Sequence, residues 1–154
     1  MLSRGDAVVY KCRGVYKVEE VGKLDFSFVD GKKDYYTLQS IDNQRDKAYV
    51  PIDDEKNIRR PVSEQKAKEL LDNLTEVGIL NVKNEKYREQ EYKDCPENWV
   101  KVLKTLYSRT KRRGSMTSMD KKYQLLLEHA LSSEMNYVLG IPAGEMTELI
   151  KKSE

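Results

Sequence analysis

Residues 5–21, with the sequence GDAVVYKCRGVYKVEEV, decide the fold class of the first part of this 154-residue chain. β-Branched and aromatic side chains follow one another at short spacing, and Gly14 separates two groups of them. Runs of this composition, bounded by glycine and aspartate, indicate β-strands joined by a tight turn. No helical spacing of apolar residues of useful length occurs in this region.

The same pattern continues outward from this stretch. Residues 35–38, YYTL, follow a turn signal at 30–32, and residues 47–50, KAYV, end at Pro51. Several short strands within about 60 residues predict a small barrel or a strongly bent sheet. Because proline has no N–H to donate to a neighbouring strand, the strand before Pro51 ends there or lies at a sheet edge. The charged residues of such an edge protect it, or the edge accepts a strand from another chain.

From residue 63 onward the apolar spacing becomes helical. Ser63 is a typical N-cap, and apolar residues then recur at 67, 70, 71 and 74 in a helix predicted to end near Gly78. Trp99 begins a second apolar stripe, at i, i+3, i+4, i+7 and i+8, in a helix that Gly114 ends. Residues 83–93 are mostly polar, and only their two tyrosines favour a helix there.

Two more helices are predicted towards the C-terminus. Thr117, followed three residues later by Asp120, resembles a capping box at the start of a helix over 118–139. A short helix over 143–152 follows a Gly-Ile-Pro break. The whole pattern predicts an α+β chain of two modules, a small β-barrel over 1–62 and an all-helical domain over 63–154.

The charge is unevenly distributed along the chain. In total, 28 basic residues nearly balance 26 acidic ones, but the net charge is +1 over 1–62, −3 over 63–98, +7 over 99–122 and −3 over 123–154. The basic block contains Lys101, Lys104, Arg109, Lys111, Arg112, Arg113, Lys121 and Lys122. Positive charge on two helices and their turn is the pattern expected of a protein that contacts phosphates, although a solvated helix face has the same composition.

Enzyme, metal and membrane functions find little support in the sequence. The single histidine, His129, has no partner at dyad spacing, and neither Cys12 nor Cys95 has a metal-ligand neighbour. No phosphate-binding or nucleophile motif occurs, so no catalytic residue, metal or cofactor is predicted. With no apolar leader after Met1 and no long apolar run, we expect a cytoplasmic protein with reduced thiols and no membrane contact.

Several short motifs resemble the CarD/CdnL family of bacterial transcription regulators, whose N-terminal module is shared with the transcription-repair coupling factor. The N-terminal matches are Gly5-Asp6-x-Val8-Val9-Tyr10, Gly14-Val15, Tyr35-Tyr36-x-Leu38, Val50-Pro51 and Arg59-Arg60-Pro61-Val62. The C-terminal matches are Val102-Leu103-x-x-Leu106-Tyr107-x-Arg109, Thr117-x-x-Asp120-Lys121-Lys122 and Leu131-x-x-Glu134-Met135. Their order and spacing carry the resemblance from about residue 3 to residue 139.

The resemblance implies a Tudor-like, SH3-type β module that docks on the β subunit of bacterial RNA polymerase. In the family the docking strand corresponds to the segment that here contains Arg45, Lys47, Ala48, Tyr49 and Val50. It also implies a helical module that contacts promoter DNA, without reading its sequence, and stabilises the open complex. The eight residues of the basic block would make those contacts, with Lys121 matching the family's DNA-contacting lysine.

The family's minor-groove tryptophan is missing from its usual place, since the alignment puts that position near Lys83. The one tryptophan, Trp99, lies on an apolar stripe and either packs in the core or serves as the wedge in a shifted alignment. The rival to the regulator is an adaptor that binds polymerase or a peptide and makes no significant DNA contact. In either case we expect a monomer that associates with the nucleoid only through the polymerase.

Overall fold

The structure, a computed structural model, describes residues 2–27, 29–79 and 95–153, with the side chain of Glu55 left out. The chain divides into two compact units. The β unit consists of Met1–Tyr10 with Gly14–Pro61, and the helical unit consists of Lys11–Arg13 with Val62–Glu154.

The β unit is one antiparallel sheet of five strands in the order β4-β3-β2-β1-β5. The strands are β1 (Ala7–Tyr10), β2 (Val15–Lys23), β3 (Asp34–Ser40), β4 (Lys47–Pro51) and β5 (Ile58–Arg59), with a 3-10 turn at Glu55–Asn57 before β5. The predicted strands are therefore confirmed, and β4 lies at an edge as Pro51 indicated. Closure into a Tudor-like barrel stays a prediction, because β4 and β5 form the two ends of this strand order.

The core of the β unit follows the two-residue period of its strands. Side chains of alternate residues point to one face. The buried cluster consists of Val8, Tyr16, Val18, Tyr36, Leu38, Ala48, Val50 and Ile58. Burying one aliphatic side chain of this size contributes about 1.5–3 kcal/mol. The phenol of Tyr16 also donates a 2.5 Å hydrogen bond to Asp46, just before β4, so the start of the edge strand is tied to the centre of the sheet.

In the part of the helical unit that the structure describes there are four α-helices and one 3-10 turn. They are α1 (Glu64–Asp72), the turn Leu74–Glu76, α2 (Pro96–Arg113), α3 (Ser118–Leu139) and α4 (Glu145–Lys152). Ser63 caps α1 as predicted, since its hydroxyl accepts the N–H of Lys66 at 3.1 Å. α1 ends six residues before Gly78, where the side-chain amide of Asn73 donates to the carbonyl of Glu69 and competes with the helical pattern. The helix predicted over 83–93 lies outside the described residues.

The apolar stripe of α2 forms the centre of the helical unit. All five stripe residues are buried, with Trp99, Leu103 and Leu106 fully so. They are accompanied by buried residues of α3 and α4, namely Leu127, Ala130, Leu131, Met135, Met146 and Ile150. Tyr107 links all three helices, because its hydroxyl donates to Glu128 at 2.8 Å and the ammonium of Lys151 lies 5.4 Å from its ring centroid. α2 is thereby held against both of its neighbours.

Candidate functional site

The backbone register of β4 orients its polar groups in two opposite directions. Ser40 N–H donates to the carbonyl of Asp46 at 3.0 Å, just before β4. Ile52 N–H, just after β4, donates to the carbonyl of Asp34 at 3.1 Å. In an antiparallel ladder, hydrogen-bonded residue pairs alternate with pairs that are not hydrogen-bonded. Between these two bonds, Ala48 and Val50 are therefore the residues of β4 whose backbone groups bond to β3. The N–H and C=O groups of Lys47 and the C=O of Pro51 consequently face away from β3. A backbone N–H at the position of Pro51 would face away from β3, so the sheet loses no hydrogen bond to this proline.

The side chains of β4 alternate in the same way. Ala48 and Val50 are buried in the core cluster and face inward, whereas Lys47 and Tyr49 face the opposite side of the sheet. Arg45 is exposed in the turn before the strand, where its N–H donates to Asn43 at 3.0 Å. Of the five residues predicted for docking, three therefore have outward side chains, and two, Ala48 and Val50, pack in the core.

Two contacts organise the outward row of β4. The ammonium of Lys47 lies 3.2 Å from a carboxylate oxygen of Glu19 on β2, with both side chains nearly half exposed. The ring of Tyr49 packs edge-to-face against Phe26, which belongs to the loop between β2 and β3. Sequence reasoning missed Phe26. It lies in the loop between two strands, together with the apolar residues Leu24 and Val29, and its contact with Tyr49 joins segments that are distant in sequence.

The basic end of the helical unit, defined as Lys111, Arg112, Arg113, Lys121 and Lys122, is formed where α2 ends and α3 begins. Gly114 ends α2 with φ = +73°, a left-handed conformation that glycine adopts without steric cost. Thr117 caps α3, its hydroxyl accepting the N–H of Asp120 at 3.1 Å. All five cations of the basic end are exposed. The last turn of one helix and the first turn of the next therefore present positive charge to solvent.

A nearly buried ion pair holds these two turns together. The guanidinium of Arg109 lies 3.3 Å from the carboxylate of Asp120, and their side chains are only 12% and 4% exposed. Asp120 immediately precedes Lys121, and Arg109 is two residues before Lys111. Asp120, expected from the sequence as part of a capping box, thus also pairs with Arg109 and links the two turns. Arg109 itself has little solvent-exposed surface.

Two other residues of the block lie away from the basic end. Lys101 is partly exposed and 3.9 Å from Glu97, one turn earlier on α2. It is about 15 Å along the helix from Lys111 at 1.5 Å per residue. Lys104 was expected to face outward, and this expectation is wrong, because the residue is 3% exposed.

The ammonium of Lys104 donates to the carbonyl of Leu74 and, at 2.9 Å, to that of Val77. Both carbonyls belong to the 3-10 turn Leu74–Glu76 and the residue that follows it. A cation is favoured where carbonyl groups converge at the end of a helical turn. The buried face of α2 is accordingly wider than its apolar stripe, and it includes a lysine.

Trp99 is fully buried in the core of the helical unit. An indole without accessible surface cannot insert at a base step, so the wedge role considered for it is contradicted. Packing in the core, the other role considered, is the one the structure shows.

The described residues contain little that would support other chemistry. Across 2–27, 29–79 and 95–153, no three His, Cys, Asp or Glu side chains form a group able to hold a metal ion. In the same ranges no helix is both long enough and apolar enough to cross a bilayer. His129 is exposed on α3, and Cys12 and Cys95 are not joined by a disulfide.

Comparison with known proteins finds a domain family to which the β unit is similar. Residues 2–62 match the family model described as the CarD-like/TRCF RID domain. The match covers the five described strands and ends at residue 62, two residues before α1. No curated protein matches the sequence.

Proposed function

We propose that this chain, whose N-terminal module belongs to the CarD-like/TRCF RID domain family, is a regulator of transcription. Domains of this family are non-enzymatic interaction modules that bind the β subunit of RNA polymerase. In this proposal the β unit docks on bacterial RNA polymerase through the edge strand β4. The basic end of the helical unit contacts promoter DNA, and the chain stabilises the open complex.

The family match carries the docking half of the proposal, and the edge position of β4 supports it. An incoming strand would bond to the backbone groups on the side of β4 that faces away from β3. Hydrogen bonds to the main chain supply affinity in this mode, and outward side chains supply selectivity. Lys47 and Tyr49 are the residues of β4 whose side chains face outward.

A pull-down with purified bacterial RNA polymerase tests the docking. We expect the wild-type chain to bind and Tyr49→Glu to lose binding, because a carboxylate would be desolvated against the incoming strand. Tyr137→Glu is the matched control, since Tyr137 is an exposed tyrosine of α3 outside both proposed surfaces. Absence of wild-type binding, or equal binding by both variants, would contradict docking through β4.

The DNA half of the proposal is supported by the five exposed cations of the basic end. Lys and Arg side chains that contact phosphates release condensed counterions, and they bind without reading base sequence. A polymerase-tethered chain that contacts DNA better in the open complex than in the closed one shifts the population towards the open state. We expect the chain to bind DNA weakly when polymerase is absent. Tethering to polymerase raises the effective concentration of the chain near the DNA.

Salt titration of promoter binding, with and without polymerase, tests these contacts. Arg112→Glu combined with Lys121→Glu should weaken binding and flatten the plot of log K against log salt. Lys152→Glu is the control, because Lys152 is an exposed cation near the end of α4, outside the basic end. A wild-type plot with no slope would remove the phosphate contacts from the account.

The second candidate function is an adaptor that binds polymerase or a peptide and makes no significant DNA contact. The burial of Trp99 and of Lys104 favours it, because both side chains are withdrawn from any DNA surface. An adaptor would tolerate the double charge reversal at Arg112 and Lys121 without change in its effect on transcription. A regulator that contacts DNA would not tolerate this charge reversal, and its effect on transcription would change.

A further inference from the structure

Phe26 is one of the exposed large apolar side chains of the β unit, with 42% of its surface accessible. The centroid of its ring lies 5.2 Å from that of Tyr49, at an interplanar angle of 63°. Aromatic rings at this separation and angle attract each other through their edges and faces. The outward side chain of Tyr49 is thus extended by a second ring, which comes from the loop between β2 and β3.

The charge beside this aromatic pair is already balanced within the sheet. Lys47, the cation on the outward row of β4, lies 3.2 Å from Glu19. An acidic group on a docking strand would have to compete with Glu19 for that ammonium. It would also lose hydration against the ring of Phe26, which has no hydrogen-bond donor to offer in return.

We infer that the strand which docks on β4 presents an apolar side chain to the Phe26–Tyr49 pair, and that Phe26 determines this preference. The inference rests on the proposed docking to RNA polymerase and adds the chemistry of the partner. An apolar side chain on the polymerase β subunit would bury ring surface that is otherwise exposed to water. Aromatic side chains that fill such contacts carry a large share of interface affinity.

The test measures the dissociation constant of RNA polymerase holoenzyme for four chains. They are the wild type, Phe26→Ala, Phe26→Leu and Ile41→Ala, each at about 0.1 M and about 0.4 M salt, where screening differs strongly. Ile41 is the matched control, since it is an apolar residue of the β unit that is 37% exposed. Its N–H donates to Val15 of β2, on the side of β3 away from β4.

We expect Phe26→Ala to weaken binding about five- to tenfold at both salt concentrations, as truncation of an interface anchor does. Phe26→Leu keeps an apolar surface and should stay within about twofold of the wild type. Ile41→Ala should bind like the wild type. A loss in Phe26→Ala that disappears at high salt would overturn the inference, and so would equal binding by Phe26→Ala and the wild type. If the wild type itself does not bind polymerase, the proposed function fails together with this inference.

Discussion

The two proposed surfaces of this protein are built in different ways. The edge of β4 is defined by backbone register, because the pairing of β4 with β3 decides which groups face outward. The basic end of the helical unit is defined by side chains, because one ion pair, between Arg109 and Asp120, brings its cations together. The backbone groups of a surface defined by register stay in place when an outward side chain is replaced, whereas a surface held by one ion pair can be lost through either partner.

The largest expected effect comes from breaking that ion pair. Arg109→Met should lower the free energy of unfolding by about 3 kcal/mol, because it leaves the carboxylate of Asp120 buried without a counter-charge. The control is Arg60→Met. Arg60 lies 3.4 Å from Asp6 in the β unit, but its side chain is 64% exposed. A solvent-exposed ion pair of this kind is worth less than about 1 kcal/mol.

Urea unfolding of both variants measures the contrast. If Arg109→Met is no less stable than Arg60→Met, the basic end is not assembled by the buried pair. Replacing both partners, as Arg109→Met with Asp120→Leu, should recover most of the lost stability, because two apolar groups can occupy the site without a buried charge.

The next effect tests the register of β4. Lys47→Pro removes an N–H that faces away from β3, so the sheet should stay intact while docking on RNA polymerase weakens about tenfold. Lys47→Ala removes only the side chain and its contact with Glu19, and its docking should change by less than about threefold. Binding by fluorescence anisotropy, together with the circular dichroism of each variant, separates loss of the edge from loss of the fold. Equal affinity of the two variants would show that the outward backbone of Lys47 is not used.

The smallest expected effect is on the salt dependence of DNA binding. It distinguishes the exposed Lys121 on α3 from the buried Lys104 on α2. Lys121→Met should reduce the salt slope of DNA binding by about 1, the value of one phosphate contact, and leave stability nearly unchanged. Lys104→Met should leave the slope unchanged and lower stability by about 1–3 kcal/mol, because two buried carbonyls lose their donor. Filter binding at several salt concentrations and urea unfolding measure the two quantities. The reverse pattern would mean that Lys104 reaches DNA and that its burial is not maintained in solution.

Composition and periodicity in the sequence were enough to predict most elements of both units. Runs of β-branched and aromatic residues predicted the strands and the apolar stripe predicted α2, and the structure buries residues of both. Pro51 predicted that its strand ends there or lies at a sheet edge, because a missing N–H is tolerated only where no partner strand needs it, and β4 lies at an edge. These features depend on local chemistry, which single residues and their spacing express directly.

Features that depend on tertiary contacts were missed or misplaced. Lys104 was expected on the exposed face of α2, because a charged residue off an apolar stripe normally points to water. It faces inward because carbonyls from a turn far away in sequence receive its ammonium. The contact between Phe26 and Tyr49 joins two segments that are distant in sequence, so the residues around Phe26 do not predict it. The role of Asp120 also depends on a partner eleven residues away across the turn between α2 and α3.

The lifetime of the polymerase–promoter open complex tests the central claim most directly. It should be measured with polymerase alone, with the wild-type chain, with Tyr49→Glu, and with the combined Arg112→Glu and Lys121→Glu variant. The account predicts that the wild type lengthens the lifetime and that both variants lose the effect, the first because it does not dock and the second because it docks without contacting DNA. A charge-reversed variant that docks and prolongs the open complex as well as the wild type would contradict the account.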